Sequence, residues 1–332
     1  MLMGFSEELL LKAQQLKKTI VLPETEDDRT LQAADRLTRD GICRVVLVGH
    51  RDQILADAKK AGADVSRCAI LSPADESESG PLAQKLHELR KDKGVTLEAA
   101  RGLVKDYLYF ATMLLKVGRV DGYVAGATHT TGDNLRPALQ IIKATPGLRT
   151  VSSFFLMVFP EPKWGHNGVL LYSDCGMVEQ PTADQLADIA VASARTFRQL
   201  VGPEPRVAML SYSTKGSADS PDTQKVIKAA ELAKKIAPEI ILDGEMQADA
   251  ALIPKVGERK CKGSPVAGKA NCLIFPDLDA GNIAYKITER IGGAQALGPL
   301  VQGMAKPAHD LSRGCSADDI VKVAAVAAIM AT

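Results

Sequence analysis

The chain has 332 residues, of which 46% are hydrophobic, so it can bury a substantial core and is longer than one average domain. Its formal net charge of +1 argues against a general affinity for nucleic acid or anionic membranes, so any anion site must be local. The six cysteines include no CxxC pair, which predicts neither a zinc site nor a disulfide framework.

At the N-terminus, "MLMGFSEELLLKAQQLKK" is amphipathic and contains acidic residues, unlike a signal or transit peptide. No apolar run in the sequence approaches the length needed to span a bilayer. We therefore expect a soluble, cytoplasmic protein with neither membrane nor nucleic-acid partners.

Short β-branched runs followed by helical patterns recur along the chain, and they read "TIVLPE", "RVVLVG", "DGYVAGA", "RVAMLSYS", "EIILDGE" and "NCLIFPD". This alternation predicts an α/β fold with parallel sheets covered by helices on both faces. Between Val151 and Leu171, two strand-like runs joined by a turn predict an antiparallel interruption, with a possible domain boundary near Pro146 and Gly147.

Three of the loops that follow predicted strands are rich in small hydrogen-bond donors. The first offers Thr128, Thr130, Thr131 and Gly132 ahead of a helix with Arg136; the second offers Ser211, Ser213, Thr214, Lys215, Gly216 and Ser217; the third ends in Asp279, Gly281 and Asn282. Such groups suit phosphate binding, although they also fill ordinary turns and helix caps. Because ligands of parallel α/β folds bind at the carboxyl ends of strands, these loops are candidate binding sites.

Several familiar motifs are missing. The sequence contains neither a GxGxxG fingerprint after the first strand, nor GxxxxGK[ST], nor a Gly-x-Ser-x-Gly elbow. His129 has no second His or Cys at metal-ligand spacing. By elimination, we expect anions to be bound by arginines and loops, without a metal or a nicotinamide cofactor.

The stretch "HDLSRGCSADDIV" precedes the last, alanine-rich helix. Ser316 and Asp319 fit a capping box, which explains both residues without any substrate. Arg313 is not explained in this way, because an arginine near a helix N-terminus is unfavourable unless it faces an anion.

Together, these segments resemble phosphate acetyltransferases. The resemblance rests on "AGATHTTGDNLRPAL", "SYSTKGSADSPDTQKV", "GSPVAGKANCLIFPDLDAGNIAYKI" and "LSRGCSADDIV", with "TIVLPETEDDRTLQAA" and "ELRKDKGVTLEAAR" near the start. It covers essentially the whole chain in the expected order and matches the short form of the family, which has the catalytic module alone. The segment "GMVEQPTADQL" after Cys175 departs from the Asn-Pro type loop of the family.

The resemblance implies reversible transfer of an acetyl group between coenzyme A and inorganic phosphate. It implies two three-layer α/β domains around a cleft, in a fold like that of isocitrate and isopropylmalate dehydrogenases. We expect domain I to comprise residues 1–147 and 302–332, and domain II to comprise residues 148–301 and to form a homodimer interface. It also implies coenzyme A as a substrate, no permanently bound cofactor, and a functional link to acetate kinase.

The matching motifs imply roles for individual residues. Ser312 and Arg313 correspond to the Ser-Arg pair of the family and Asp319 to its catalytic aspartate, while Arg136 and Arg90 correspond to two further functional arginines. We further predict that Thr130, Thr131, Ser213, Thr214, Lys215 and Gly216 bind substrate.

Asp319 is a demanding choice of base. With ordinary pKa values for an aspartate and a thiol, complete proton transfer before attack would be uphill by about 6 kcal/mol. Either burial makes the carboxylate more basic, or the proton moves as the carbon–sulfur bond forms, or Asp319 mainly orients the thiol. Cys315 has no evident His or Lys partner in the sequence, so we expect it to be structural, with direct attack by coenzyme A and no acyl-enzyme.

Three other functions are alternatives to this interpretation. A phosphate acyltransferase for a longer acyl group, such as butyryl, would share the fold and parts of the motifs, and a few methylenes change selectivity by only about 1 to 3 kcal/mol. A non-catalytic module that senses acetyl-CoA would normally be attached to a catalytic domain and could lose the aspartate and the arginines. A decarboxylating dehydrogenase of similar fold would need a metal-binding acid cluster and a nicotinamide site, which the sequence does not offer.

Overall fold

The computed structural model describes residues 4–202 and 204–332. Its strands, in chain order, are β1 Thr19–Leu22, β2 Arg44–Val48, β3 Ala69–Leu71, β4 Gly122–Ala125, β5 Ser152–Val158, β6 Val169–Ser173, β7 Arg206–Leu210, β8 Ile241–Met246, β9 Cys272–Ile274, β10 Gln295–Gln302 and β11 Ala308–Asp310. Its α-helices are α1 Phe5–Leu16, α2 Asp28–Arg39, α3 Arg51–Lys60, α4 Glu76–Arg90, α5 Leu97–Val104, α6 Tyr107–Val117, α7 Thr131–Ile141, α8 Ala183–Leu200, α9 Pro221–Ile236, α10 Ala248–Leu252, α11 Pro254–Lys260, α12 Leu278–Arg290 and α13 Ala317–Met330. A short 3₁₀ turn, Lys91–Lys93, follows α4.

The predicted α/β class is confirmed, and each of the six predicted strand runs contains a strand. The antiparallel interruption is confirmed as well, because β5 and β6 pair antiparallel. Three strands were not predicted, namely β3, β10 and β11. Two of them have three residues each, and β10 includes Gly298 and Pro299, so none shows a clear β-branched run.

The chain divides into two compact units. The first comprises Met1–Lys143 and Met304–Thr332, and the second comprises Ala144–Gly303. The chain thus enters the second unit once and returns to the first for its last strand and helix. The boundaries proposed from the sequence were 147/148 and 301/302. The dimer interface expected on the second unit stays a prediction.

The first unit is built on a parallel sheet of strand order β11-β4-β1-β2-β3. Helix α13 covers one face, where Ala327 lies against Ile20 and Gly122. Helices α4 to α7 cover the other face around a core that includes Phe110 and Tyr123, both fully buried. From β1 the chain adds β2 and β3 on one side of the sheet, and it then adds β4 on the other side of β1. The point in the sheet between β1 and β4 is therefore a topological switch point. At such a switch the loops diverge and leave room for a ligand.

The second unit has a mixed sheet of strand order β10-β5-β6-β9-β7-β8. Strand β5 pairs antiparallel with both β10 and β6, whereas β6, β9, β7 and β8 run parallel. Helices α8 and α9 pack together on the sheet, and the other face holds an apolar cluster with α10 and α12. The loop after β7 therefore lies at the carboxyl edge of the parallel part.

Two further features concern the helices and the cysteines. No helix formed by residues 4–202 and 204–332 is long and apolar enough to cross a membrane. All six cysteines lie within these residues and are free, and five of them are buried.

Gly126 marks a close approach between β4 and β11. It follows β4 with φ at +113°, a conformation that residues with a side chain rarely adopt. A Cβ at this position would lie 2.5 Å from Asp310 Oδ1 and 2.5 Å from the backbone nitrogen of Leu311. Only glycine therefore lets the loop after β4 pass this closely over the end of β11.

We predict that Gly126→Ala destabilises the protein by about 2 kcal/mol or more, because both the backbone strain and the clash must be relieved. Gly132→Ala is the matched control, since, apart from its chain neighbours and the nearby backbone of its own helix, the nearest described atom to a Cβ there is Thr130 Oγ1, at 3.8 Å. Urea unfolding of both variants measures the difference, and equal midpoints would contradict the close approach.

Candidate active site at the carboxyl edge of the first sheet

Glu24 organises the loop that follows β4. Its buried carboxylate comes from the loop after β1 and accepts hydrogen bonds from the backbone N–H groups of Gly126, Ala127, Thr128 and His129 at 2.7 to 3.1 Å. The Thr128 hydroxyl and His129 Nδ1 also lie within 3.0 Å of it. Successive N–H groups of this kind form an anion-binding concavity, and here the anion is a side chain of the protein itself.

The electrostatics of Glu24 agree with that geometry. Burial acts to raise the pKa of its carboxyl, but the hydrogen bonds from His129, Thr128 and Ala127 together bring the pKa below its usual value. Glu24 is therefore held as a carboxylate. The backbone N–H groups of Gly126 to His129, which include that of Thr128 in the first candidate loop, are already occupied.

Arg29 ties three loops of the first unit together. Its guanidinium forms a two-pronged contact with Asp27, at 2.9 and 2.6 Å, which raises the pKa of Arg29 further. It also donates to the backbone carbonyls of Ala127, Arg313 and Cys315 at 2.7 to 3.0 Å. The rigid fork of an arginine is suited to several simultaneous contacts, and here it fixes the loop after β11 against the loop after β4.

The Ser-Arg pair lies exposed on that fixed loop. Ser312 and Arg313 are both exposed, and Ser312 Oγ accepts from the Gly314 N–H at 3.2 Å. The backbone of Arg313 is anchored by Arg29, while its side chain is left at the surface. An arginine on a fixed backbone next to a helix N-terminus is well placed to meet an anion.

Ser316 and Asp319 form the predicted capping box, which is confirmed. Asp319 Oδ2 accepts from the Ser316 backbone N–H at 2.9 Å and from its hydroxyl at 2.8 Å, and the Asp319 N–H donates back to Ser316 Oγ at 3.2 Å. Asp319 is nevertheless exposed. Of the three explanations for a base at this position, burial receives no support, which leaves concerted proton movement and orientation of the thiol.

The neighbouring acid and cysteine have structural surroundings. Asp318 pairs with Lys322 and Arg36, and the hydrogen bond from Lys322 is the main cause that lowers the pKa of Asp318. Burial raises the pKa of Cys315 despite the opposing charge of Arg29, so the thiol form is favoured there. This agrees with the expectation that Cys315 is structural.

Arg90 and Arg136 both lie near Tyr109. Arg90 ends α4 and donates to the backbone carbonyl of Gln140 at 3.4 Å. Arg136 is exposed on α7 and lies 3.6 Å from Asp133. Burial raises the pKa of Tyr109, whereas the positive charges of Arg136 and Arg90 act in the opposite direction.

Thr130 and Thr131 begin α7. Thr130 is the N-cap, and its hydroxyl accepts from the Asp133 N–H at 3.2 Å and donates to the Asp133 carboxylate at 2.8 Å. Thr131 is exposed, but its hydroxyl lies 2.6 Å from the buried carboxyl of Asp310, which ends β11. Both threonines thus stand at a helix N-terminus beside the loop of Arg313.

The loop residues predicted after β7 lie in the second unit and have a buried glutamate of their own. Glu245 Oε1 accepts from the Ser213 hydroxyl and from the Gly216 N–H, each at 2.8 Å. Thr214 contacts Gln247, and Lys215 Nζ lies 2.6 Å from Asp243. Ser213 is fully buried, whereas Lys215 and Gly216 are exposed.

Lys215 also lines a pocket of about 760 Å³ beside β8 in the second unit. Three further lysines line it, Lys234, Lys260 and Lys262, together with Asp243. Its size is that of a small-molecule site, and its lining carries a surplus of positive charge.

The third candidate loop serves packing. A Cβ on Gly281 would lie 2.1 Å from the backbone oxygen of Asp174, and the Asn282 amide donates to the carbonyl of Cys175 at 3.1 Å. These contacts hold α12 against the end of β6.

Among residues 4–202 and 204–332, no group of three or more His, Cys, Asp or Glu side chains is arranged to hold a metal ion. The sequence reading missed Glu24, Arg29, Tyr109 and Asp310. A signal was present for the first two, because "PETEDDR" places acids and an arginine directly after a buried strand. Tyr109 and Asp310 carried no comparable signal.

Comparison with known proteins gives a consistent result. Residues 4–328 match the family described as "Phosphate acetyl/butaryl transferase". The phosphate acetyltransferase of Acetivibrio thermocellus is 53% identical over 329 residues, which cover 99% of this chain and 98% of that protein. The corresponding protein of Clostridium acetobutylicum is 48% identical, with 99% of each chain covered.

Solved structures agree. The EutD phosphotransacetylase from Staphylococcus aureus superposes with a TM-score of 0.92 at 40% identity, covering 98% of this chain and 99% of that one. A branched-chain phosphotransacylase from Enterococcus faecalis V583 shares the fold, with a TM-score of 0.65 at 17% identity over 95% of this chain and 99% of that one. The resemblance predicted from the motifs is confirmed: the chain belongs to the phosphate acetyl/butyryl transferase family.

Proposed function

We propose that this protein is an acyltransferase that moves an acetyl group reversibly between coenzyme A and inorganic phosphate. The observation that carries this proposal is the arrangement around Arg29, which holds exposed Arg313 on a fixed loop beside the N-terminus of α7. That helix begins with Thr130 and Thr131 at the carboxyl edge of a parallel sheet. Arginine and a helix N-terminus are the groups that bind a phosphate.

In this proposal Arg313, Thr130 and Thr131 bind the phosphate of acetyl phosphate, with Arg136 and Arg90 supplying further positive charge. The positive charges of the three arginines stabilise the phosphate as it leaves the acetyl carbon, since negative charge then grows on the bridging oxygen. Ser312, next to Arg313, is placed to contact the thiol or the carbonyl oxygen.

The thiol of coenzyme A attacks the acetyl carbonyl directly, and Asp319 receives its proton or orients it. A free thiol is a minority thiolate at neutral pH, so a carboxylate that takes the proton as the carbon–sulfur bond forms lowers the barrier. The hydrogen bonds from Ser316 fix the position of Asp319, which a base in this role requires. One cap can therefore serve both the helix and the reaction.

We also propose that Lys215 and the loop of Ser213, Thr214 and Gly216, all in the second unit, bind substrate phosphate groups. The lysine-lined pocket next to Lys215 supports this, because coenzyme A carries several phosphate charges. Coenzyme A is a substrate in this scheme, and the protein has no permanently bound cofactor.

A longer acyl group, such as butyryl, is the second candidate substrate. The matching family includes both kinds of enzyme by its description. The relatives at 48 to 53% identity are named phosphate acetyltransferases, which favours acetyl.

We also propose a cytoplasmic homodimer that is functionally linked to acetate kinase through shared acetyl phosphate. Support for a dimer through the second unit comes from α12, where Ile283 and Ile287 are more than half exposed, at 56% and 53%. Ile291, just past the helix, is 83% exposed, so the three isoleucines recur every four residues and form one apolar stripe. Such a stripe is typical of an interface.

The first test is thioester formation from coenzyme A and acetyl phosphate, with butyryl phosphate in parallel. We predict fast acetyl transfer by the unmodified protein, and losses in kcat/KM of at least about a hundredfold for Arg313→Ala and Asp319→Asn. Asp318→Asn is the matched control, because its carboxylate pairs with Arg36 and Lys322, and it should keep near-normal activity.

Circular dichroism must show that all three variants are folded. If the protein bound acetyl-CoA but formed no thioester, its function would be that of a sensing module and not that of an enzyme. Faster transfer of butyryl than of acetyl would show that the longer acyl group is the preferred substrate. Full activity in Asp319→Asn would show that Asp319 serves only as a helix cap.

Arg29 offers a second prediction. Arg29→Lys keeps the charge but cannot make the separate contacts to Asp27, Ala127, Arg313 and Cys315. We expect kcat/KM to fall about tenfold or more and the free energy of unfolding to fall by about 1 to 3 kcal/mol. Arg39→Lys, an exposed change on the same helix, is the control, and equal activities in the two variants would show that Arg29 does not position the loop.

The proposed dimer is tested by Ile283→Glu/Ile287→Glu. Two charges in an apolar interface should convert the dimer to a monomer, as measured by size-exclusion chromatography with light scattering. Leu55→Glu on α3 is the control, because Leu55 is also exposed, at 40%, but lies in the first unit. A double variant with the mass of the unmodified protein would locate any dimer contact elsewhere.

A further inference from the structure

Asp310 is a buried acid that the proposed reaction leaves without a role. It ends β11 and is 7% exposed, yet its carboxyl contacts the hydroxyl of one exposed residue, Thr131. Its Oδ2 lies 2.6 Å from the hydroxyl of exposed Thr131, and its Oδ1 accepts from Asn134 Nδ2 at 2.7 Å. Asp310, Thr131 and the outside therefore form a short chain of exchangeable protons.

The orientation of Asn134 is fixed by its other neighbours. Its Oδ1 accepts from the hydroxyl of buried Tyr123, and its Nδ2 also donates to the carbonyl of Ala125 at 3.0 Å. Asn134 therefore always presents a donor to Asp310 Oδ1. A proton carried by Asp310 must consequently sit on Oδ2, facing Thr131.

Whether Oδ2 carries a proton determines whether the Thr131 hydroxyl can donate a hydrogen bond to a ligand. A hydroxyl has a single proton, and an ionised Asp310 accepts it, so Thr131 then presents only lone pairs to a ligand. When Asp310 is protonated, it donates to Thr131 Oγ1, and the Thr131 proton is free to point outwards. Phosphate oxygens carry negative charge and need donors, so only the second arrangement binds them.

We propose that Asp310 is a positioning residue that takes up one proton when the acyl phosphate binds and thereby turns the Thr131 hydroxyl towards a phosphate oxygen. The proton balance is simple: one proton enters from solvent onto Asp310 Oδ2, and the Thr131 proton moves from the inward to the outward hydrogen bond. No covalent bond between heavy atoms changes. The inference rests on the proposed function, in which Thr131 binds phosphate.

The charges around Asp310 favour this. Burial raises the pKa of Asp310, the hydrogen bonds from Asn134 and Thr131 oppose it, the carboxylate of Glu24 raises it and Arg313 lowers it, with a net rise. Burial keeps two neighbours uncharged, because it lowers the pKa of His309 on the same strand to about 4 and raises the pKa of Tyr123 on β4.

The acids at the start of α13 are engaged elsewhere, Asp318 with Lys322 and Arg36, and Asp319 with Ser316. A phosphate bound at Thr131 adds a negative charge close to Asp310 and raises its pKa further. Binding of the anion and uptake of the proton therefore promote each other.

The experiment is the KM for acetyl phosphate as a function of pH, from about pH 5 to 9. In the unmodified protein the KM should be lowest while Asp310 is protonated in the complex and should rise with pH. Asp310→Asn imitates the protonated acid, because Asn134 selects the Oδ1 side of the new amide and leaves its nitrogen to donate to Thr131. Its KM should stay low and lose this pH dependence, with the KM for coenzyme A unchanged.

Thr131→Val is the second variant and lies at an exposed position, so it does not depend on a buried substitution. Loss of a donor to a charged group should raise the KM for acetyl phosphate about tenfold at low pH, and the pH dependence should vanish. In the Thr131→Val background, Asp310→Asn should then change nothing further. Ionisation of acetyl phosphate itself is common to all variants and cancels in the ratio of KM values.

If the KM of Asp310→Asn or of Thr131→Val, divided by the KM of the unmodified protein, stayed constant across this pH range, the inference would be overturned, as it would by independent effects of the two changes on KM. If Asp310→Asn does not fold, Thr131→Val alone decides the question. Failure of the proposed function has a different signature, because the unmodified protein would then form no thioester at any pH.

Discussion

The site of the first unit depends on the hydrogen bonds that the Glu24 carboxylate accepts from four consecutive backbone N–H groups. It lies at the switch between β1 and β4, where diverging loops leave unpaired donors that commonly face a bound anion. Here an internal carboxylate satisfies them. These hydrogen bonds hold the backbone of the loop after β4, and the residues next in the chain, Thr130 and Thr131, begin α7.

Arg29 complements this contact with the opposite charge. Where Glu24 binds the N–H groups of the loop after β4, Arg29 binds a carbonyl of the same loop and two carbonyls of the loop after β11. With the backbone of both loops held from inside, Arg313 and Ser312 are left facing outwards. In the proposed reaction, these two residues need such a preorganised frame, because misplacement by about 1 Å can cost a hundredfold in rate.

The second unit also has a buried glutamate that binds a loop of its own chain. Glu245 is buried and holds the loop after β7 through the Ser213 hydroxyl and the Gly216 N–H. In both units, then, a loop rich in Gly, Ser and Thr that looks like a phosphate cradle contains a carboxylate from its own chain. The composition of such a loop indicates that it binds an anion, but it does not indicate which anion. Under the proposed function, Lys215 and Arg313 are the cationic side chains that these two loops present to a substrate.

The sequence by itself determined the alternation of strands and helices, the antiparallel pair β5 and β6, the cap of α13 and the family, because each depends on residues close together in the chain or on motifs that survive as strings. Only the tertiary structure decided which distant residues Glu24, Arg29 and Asp310 contact. Glu24 meets Gly126 across 102 residues, and Arg29 meets Arg313 across 284. Those meetings follow from the strand order β11-β4-β1, in which neighbours in space are distant in sequence. Local patterns carry no information about that order, since it is set by how the helices cover both faces of the sheet.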